Sequence, residues 1–94
     1  MIDPLPTDRQ GLIDRVRRVR FTRTRMSSGY DVRAVDYFFE KLAAGLQDPP
    51  QALPLSPAQI TGAYLREVRI LRGYSMDEVD EFRRMVAAAV RQLP

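Results

Sequence analysis

The side chains in this chain that can hold an ion or move a proton are carboxylates, arginines and tyrosines. Its 94 residues include no cysteine and no histidine. Thiolate ligands are therefore missing, and so are the commonest metal ligand and the commonest general base. Six acids form two groups: Asp31 and Asp36, then Asp77, Glu78, Asp80 and Glu81. Paired carboxylates at such spacings can do general acid–base work. Each group, however, opens a stretch of helical apolar spacing, where acids cap the helix and face the positive end of its dipole. Capping is the preferred reading. No catalytic residue, cofactor site or metal site is assigned, and the chain is expected not to be an enzyme.

The cations are fourteen arginines and a single Lys41, giving a net charge of +3. Six arginines crowd one segment, Arg15, Arg17, Arg18, Arg20, Arg23 and Arg25, with Asp14 as the nearby acid. Such a cluster can bind the phosphates of nucleic acid or of anionic lipid. Arg18, Arg20, Arg23 and Arg25 are the nucleic-acid candidates. Few aromatics interleave with them, which argues against a platform for stacking single strands. A solvated face is the plainer reading, so nucleic acid stands as an alternative. A second arginine-bearing stretch is the turn holding Arg69, Leu71 and Arg72, where a surface leucine is ordinary and a core contact is the other plain reading.

What must position these residues is a repeated stretch. Gly29-Tyr30-Asp31-Val32-Arg33-Ala34-Val35-Asp36-Tyr37-Phe38 aligns without a gap on Gly73-Tyr74-Ser75-Met76-Asp77-Glu78-Val79-Asp80-Glu81-Phe82, 44 positions later. Gly, Tyr, Val, Asp and Phe recur at the same offsets, and Ile60 and Leu65 extend the match upstream to Val16 and Phe21. Each copy reads as a glycine turn, an aromatic, a cap and an amphipathic helix. Gly29 and Gly73 are expected to take positive φ, with Tyr30 and Tyr74 covering the helix starts.

Val32, Val35, Phe39, Leu42 and Leu46 step by three and four, with Phe38 alongside, and predict a helix that Asp48-Pro49-Pro50 stops. Val79, Phe82, Val86, Ala89 and Leu93 repeat the spacing. These two seams, coiled-coil-like in period, read as core or dimer interface. Arg83, Arg84 and Arg91 are expected on the solvated side of the second. Thr7 or Asp8 caps a short first helix through Leu12, Ile13 and Val16. Residues 15–26 alternate and predict a strand-like or extended segment. Residues 47–57 hold Pro49, Pro50, Pro54 and Pro57 and predict a semi-rigid linker. Ser56 caps a helix with Pro57 at its first position, continuing through Ile60, Ala63 and Leu65. Ser75-Met76-Asp77-Glu78 predicts a capping box.

Residues 1–6 hold two prolines and predict irregular chain, without the basic-then-apolar pattern of a signal peptide. No run of 18 apolar residues exists, so no spanning helix is expected and a cytoplasmic location is the default. The fold class is all-α: a tandem repeat of residues 1–46 and 56–94 joined by a linker at 47–55.

Leu71-Arg72-Gly73-Tyr74 followed by Asp77-Glu78-Val79-Asp80-Glu81-Phe82 resembles the N-terminal domain of the DivIVA family, bacterial polar and septal scaffold proteins. Leu55-Ser56-Pro57-Ala58-Gln59-Ile60 resembles the family's Leu-Thr-Pro start. The likeness covers residues 55–86 well and 16–42 as a diverged copy. In that family the domain is a parallel dimer whose loops touch the membrane. The resemblance therefore implies that Leu71 inserts and Arg72 contacts phosphate, and that the two copies pair within one chain as a pseudo-dimer. Ser27-Ser28 replaces the apolar-Arg pair in the first copy, so its tip is expected to be a poor membrane anchor, and Arg83 replaces the leucine that usually follows Phe82. The implied function is a non-enzymatic scaffold or adaptor in cell division or polar growth, binding a protein partner and the anionic inner membrane surface. One alternative is a module that hetero-pairs with a longer DivIVA-type protein without lipid contact. The other is the arginine-rich nucleic-acid binder.

Overall fold

The computed structural model describes residues 4–94. It is mostly helical, in the order α1 (Arg9–Arg18), β1 (Gly29–Tyr30), α2 (Val32–Leu46), α3 (Pro57–Gly62), β2 (Glu67–Val68) and α4 (Met76–Gln92). Of the stretch expected to be irregular at the N-terminus, residues 4–6 are non-helical and residues 1–3 lie outside the described residues.

Local chemistry accounts for the helix starts. Asp8 caps α1 by accepting from the Gly11 amide at 2.9 Å, and Asp31 caps α2 by accepting from the Ala34 amide at 3.0 Å. Helix α1 runs to Arg18, so residues 15–18 are helical and only the chain beyond Val19 is extended. The alternation at 15–26 misled there because Val16 answers to the three-residue spacing from Ile13 instead. Helix α3 has a complete capping box: Ser56 Oγ accepts from the Gln59 amide at 3.1 Å and Gln59 Oε1 accepts from the Ser56 amide at 2.8 Å. It stops at Gly62, short of the expected Ala63 and Leu65. At α4 only half of the expected box forms. Ser75 Oγ accepts from the Glu78 amide at 3.3 Å, but the Glu78 carboxylate accepts from the distant Thr22 amide at 2.8 Å.

Packing then joins the helices. Helix α1 lies mainly on α2, α3 mainly on α4, and α1 also touches α4. Val35, Phe39, Leu42 and Leu46 of α2 are buried with Val79, Phe82 and Val86 of α4, and Leu12, Ile13, Val16, Ile60 and Leu65 complete the core. The two long helices meet where Phe39 and Phe82 pack edge to face, their ring centroids 5.5 Å apart. Phe38 is only partly buried and packs at the core's edge. The linker crosses α2 closely: a Cβ on Gly45 would lie 3.1 Å from the Leu53 carbonyl oxygen and 3.1 Å from Pro54 Cα.

The candidate functional site: a backbone crossing and its two loops

The two Gly-Tyr stretches meet each other through their backbones. The Tyr30 amide donates to the Tyr74 carbonyl at 2.9 Å and the Tyr74 amide donates back to the Tyr30 carbonyl at 2.9 Å. Around this pair the bonding is reciprocal. Gly29 pairs with Val68 in the antiparallel β1–β2 ladder, and the Thr24 amide donates to the Gly73 carbonyl at 2.8 Å. The Asp31 amide donates to the Arg66 carbonyl at 2.7 Å, and the Ser75 amide to the Thr22 carbonyl at 2.9 Å. Each member of these pairs stands 44 residues from its opposite number. Four strand-like segments thus satisfy one another's polar backbone groups at the crossing.

The crossing corrects the expected role of the glycines. Neither has positive φ; the positive value falls on Met26, at 54°. Gly29 and Gly73 are small because backbones pass through their side-chain positions. A Cβ on Gly73 would stand 2.6 Å from the Tyr30 carbonyl oxygen, and one on Gly29 would stand 2.9 Å from that of Tyr74. Both distances are well inside van der Waals contact.

The tyrosines also reach further than the helix starts they were expected to cover. Tyr30 donates its phenol proton to Asp80 of α4 at 2.8 Å, and Tyr74 donates to Asp36 of α2 at 3.0 Å. Burial raises both phenol pKa values, and the accepting carboxylate raises them further. These acids are therefore structural acceptors as well as early-turn residues.

Arg83 is the second correction. Instead of lying on the solvated side it is buried. It donates to the Ala63 carbonyl at 2.7 Å, to the Ile60 carbonyl at 3.4 Å and to Asp80 at 3.0 Å. Those carbonyls belong to the C-terminal end of α3, where a cation is favoured. Its guanidinium also sits 5.9 Å from the Tyr30 ring centroid and 5.8 Å from that of Phe38. Buried Nε has no partner among the described atoms. The helical spacing placed Arg83 beside Phe82 on α4, but only the α3 terminus explains its burial. Arg84, by contrast, is exposed and pairs with Glu81 at 2.7 Å.

Two loops spring from the crossing, residues 25–28 and 69–72. Of the residues that bound them, Thr24 bonds Gly73, Gly29 pairs with Val68, and Gly29 lies against Gly73, so the loops share one base. Their tips are apolar and open: Met26 is 93%, Ile70 89% and Leu71 68% exposed. Arg25, Arg69 and Arg72 are exposed beside them. Leu71, Arg72 and Arg69 thus lie on an exposed loop that also holds Ile70, and a second loop from the same base holds Met26; neither of these two was among the residues expected to make contact. The Met26–Ile70 offset of 44, the same as between the glycines, was the signal for them.

The other arginine candidates disperse. Arg18 bonds the Asp14 carbonyl at the end of α1, Arg20 turns onto the Arg18 and Val19 carbonyls, and Arg23 lies over the Tyr74 ring at 5.6 Å. Among the described residues no helix is long and apolar enough to cross a membrane. Comparison with family models, with curated proteins and with solved structures gave no significant match.

Proposed function

We propose that this chain is a DivIVA-like, non-enzymatic scaffold or adaptor of bacterial cell division or polar growth. Residues 1–46 and 56–94 are two copies of one unit, joined by the linker at 47–55 and paired within the chain as a pseudo-dimer. The carrying observation is the reciprocal crossing of Gly29-Tyr30 with Gly73-Tyr74, from which two arginine-flanked apolar loops spring. The double tip binds the anionic face of the inner membrane while the helical body holds a protein partner, at the cytoplasmic side. Met26, Ile70 and Leu71 enter the headgroup boundary, and Arg25, Arg69 and Arg72 meet the phosphates at about 1 kcal/mol each.

Vesicle co-sedimentation tests this. Wild type should bind vesicles containing phosphatidylglycerol and fail on neutral ones. Leu71→Asp should weaken binding at least about tenfold while leaving the helical circular dichroism unchanged. Absent wild-type binding, or binding indifferent to Leu71→Asp, would overturn the membrane assignment and leave the protein-pairing module. Light scattering tests the pairing: a monomer with both seams buried agrees with it, and an obligate dimer with exchanged partners refutes it.

A further inference from the structure

The chain has four tyrosines, and they divide into two kinds. Tyr30 and Tyr74 spend their phenols on Asp80 and Asp36. Tyr37 and Tyr64 are 65% and 85% exposed, and neither phenol has a hydrogen-bond partner among the described residues. These two line one groove, about 350 Å³ in volume, between α2 and the chain after α3. Phe38, Leu55 and Leu65 line it with them, and Lys41 is the one charged side chain there, with no carboxylate in the lining. Lys41 rests its ammonium 5.4 Å from the Tyr37 ring centroid, so the cation stays at the rim.

The shape of the occupant is indicated by the neighbouring surface. Helix α2 already carries a proline-bearing segment, the molecule's own linker, bent at 47–49 and 51–52 and free of bends over 53–56. Its Gln51 amide donates to the Ala44 carbonyl at 2.9 Å, and Leu53 and Pro54 lie against Gly45. Leu55 lines both the open cleft that this segment helps to wall and the tyrosine groove. At Ser56 the chain turns away into α3, and the groove of Tyr37 and Tyr64 opens beside Leu55. The backbone that leads along α2 to the groove is the proline-bearing run 53–56, which ends at Ser56 with φ −72° and ψ 160°, the polyproline II region. Exposed tyrosines extend the fit: their rings pack on proline and their phenols donate to the free carbonyls of a polyproline II peptide. The lone cation favours an acidic residue beside the prolines.

We infer that the Tyr37–Tyr64 groove docks an extended proline-rich peptide with an acidic residue, supplied by a protein partner. The site is separate from the loop tips and does not depend on their contacting a membrane.

The test uses the whole chain against an array of Pro-x-x-Pro peptides with the intervening positions randomised. Binding peptides should be enriched in Asp and Glu. Their amide chemical-shift changes should centre on Tyr37, Phe38 and Tyr64. Tyr37→Ala and Tyr64→Ala change exposed side chains and should each lower affinity about tenfold with the fold intact. Lys41→Glu should turn the acidic preference into a basic one. No binding anywhere in the array would overturn the inference, as would binding indifferent to both tyrosine variants. A stronger response to amphipathic helical peptides would assign the groove to a helix instead. Self-association of the chain that Tyr64→Ala abolishes would assign it to a second copy.

Discussion

Two environments flank the crossing, and they solve the same task with opposite chemistry. On the Tyr74 side the space beyond the phenol is aromatic. Phe21 lies 5.5 Å from Tyr74 and 5.7 Å from Phe39, and Phe82 closes the group at 5.5 Å from Phe39. On the Tyr30 side the place 44 residues after Phe39 is taken by Arg83, and that 44 after Phe21 by Leu65. There the space is filled by a guanidinium shared among Asp80, two carbonyls and two ring faces. The lesson is which part of the arrangement is negotiable. The backbone crossing is the same on both sides, while the filling around it is free to differ. A pair of identical chains must place the same residue on both sides of its axis. A single chain can put Phe39 on one side and Arg83 on the other, which suits the proposal of two copies within one chain.

The sharpest way to break this comparison is to empty each side in turn. Phe39→Ala removes a buried ring from an aromatic cluster and should cost about 3–5 kcal/mol in urea unfolding. Arg83→Ala should cost less, about 2 kcal/mol. The Asp80 side chain left behind is a third exposed (33%) and can turn to water, and an unpartnered buried Nε goes with the arginine. Equal costs would mean that the two sides are not alternative fillings of one frame.

The frame itself is tested at the glycines. Gly73→Ala drives a methyl group into the Tyr30 carbonyl at 2.6 Å and into Val68 Cγ2 at 2.8 Å. We expect a loss of about 2–3 kcal/mol. Gly29→Ala meets the Tyr74 carbonyl at 2.9 Å and the Thr24 hydroxyl at 2.8 Å. A hydroxyl can move where a backbone cannot, at the expense of the Gly73 amide bond to Thr24 Oγ1, so this variant should be the milder. The reverse order in thermal melts would mean that the crossing yields more easily on the Tyr30 side.

Smaller effects come from the phenols. Tyr30→Phe should cost about 1 kcal/mol and Tyr74→Phe about half that, because Tyr30 is the more buried and Asp36 is exposed to water. The phenols also set a pH dependence. Both folded pKa values lie above the ordinary 10.0, so the folded protein holds these protons more tightly than the unfolded chain. That contribution is fully present below pH 10 and is lost as pH climbs through the folded values. Stability should therefore fall above about pH 10, and less steeply in Tyr30→Phe. A slope unchanged in both phenylalanine variants would place the titrating groups elsewhere.

How far the sequence reached depended on how local each cause was. The bounds of α2 at Val32 and Leu46 follow from its own cap, period and prolines, and were legible. So were the starts at Asp8 and Ser56. The glycines were found, but for the wrong reason: a turn is a local event, whereas the Tyr30 carbonyl that excludes a side chain at Gly73 arrives from 43 residues earlier. Arg83 was misplaced for the same cause, since its burial depends on carbonyls at the end of α3. Glu78 looked like half of a capping box until the Thr22 amide, 56 positions away, claimed it. Leu71 and Arg72 were singled out through the family resemblance, and Met26, between polar neighbours, was not.

Met26 supplies the finest comparison, between the loops themselves. It holds φ at 54° with its side chain almost wholly in water. An unbranched residue there carries a left-handed strain of about 1–2 kcal/mol. Nothing in the fold repays that strain through packing, so its exposure is unexplained by stability alone. Met26→Gly would relieve the strain and lose about 0.5–1 kcal/mol to the freer unfolded chain. The net gain should be about 0.5 kcal/mol, read as a slightly higher melting temperature. On anionic vesicles the same variant should bind more weakly than wild type, though less so than Leu71→Asp, since Ile70 and Leu71 remain. A melting temperature that falls would mean that Met26 packs somewhere. Unchanged vesicle binding would confine the contact to residues 69–72 and leave the first loop a spacer. A variant that gains stability and loses binding would mark the first loop as strained for the sake of its contact.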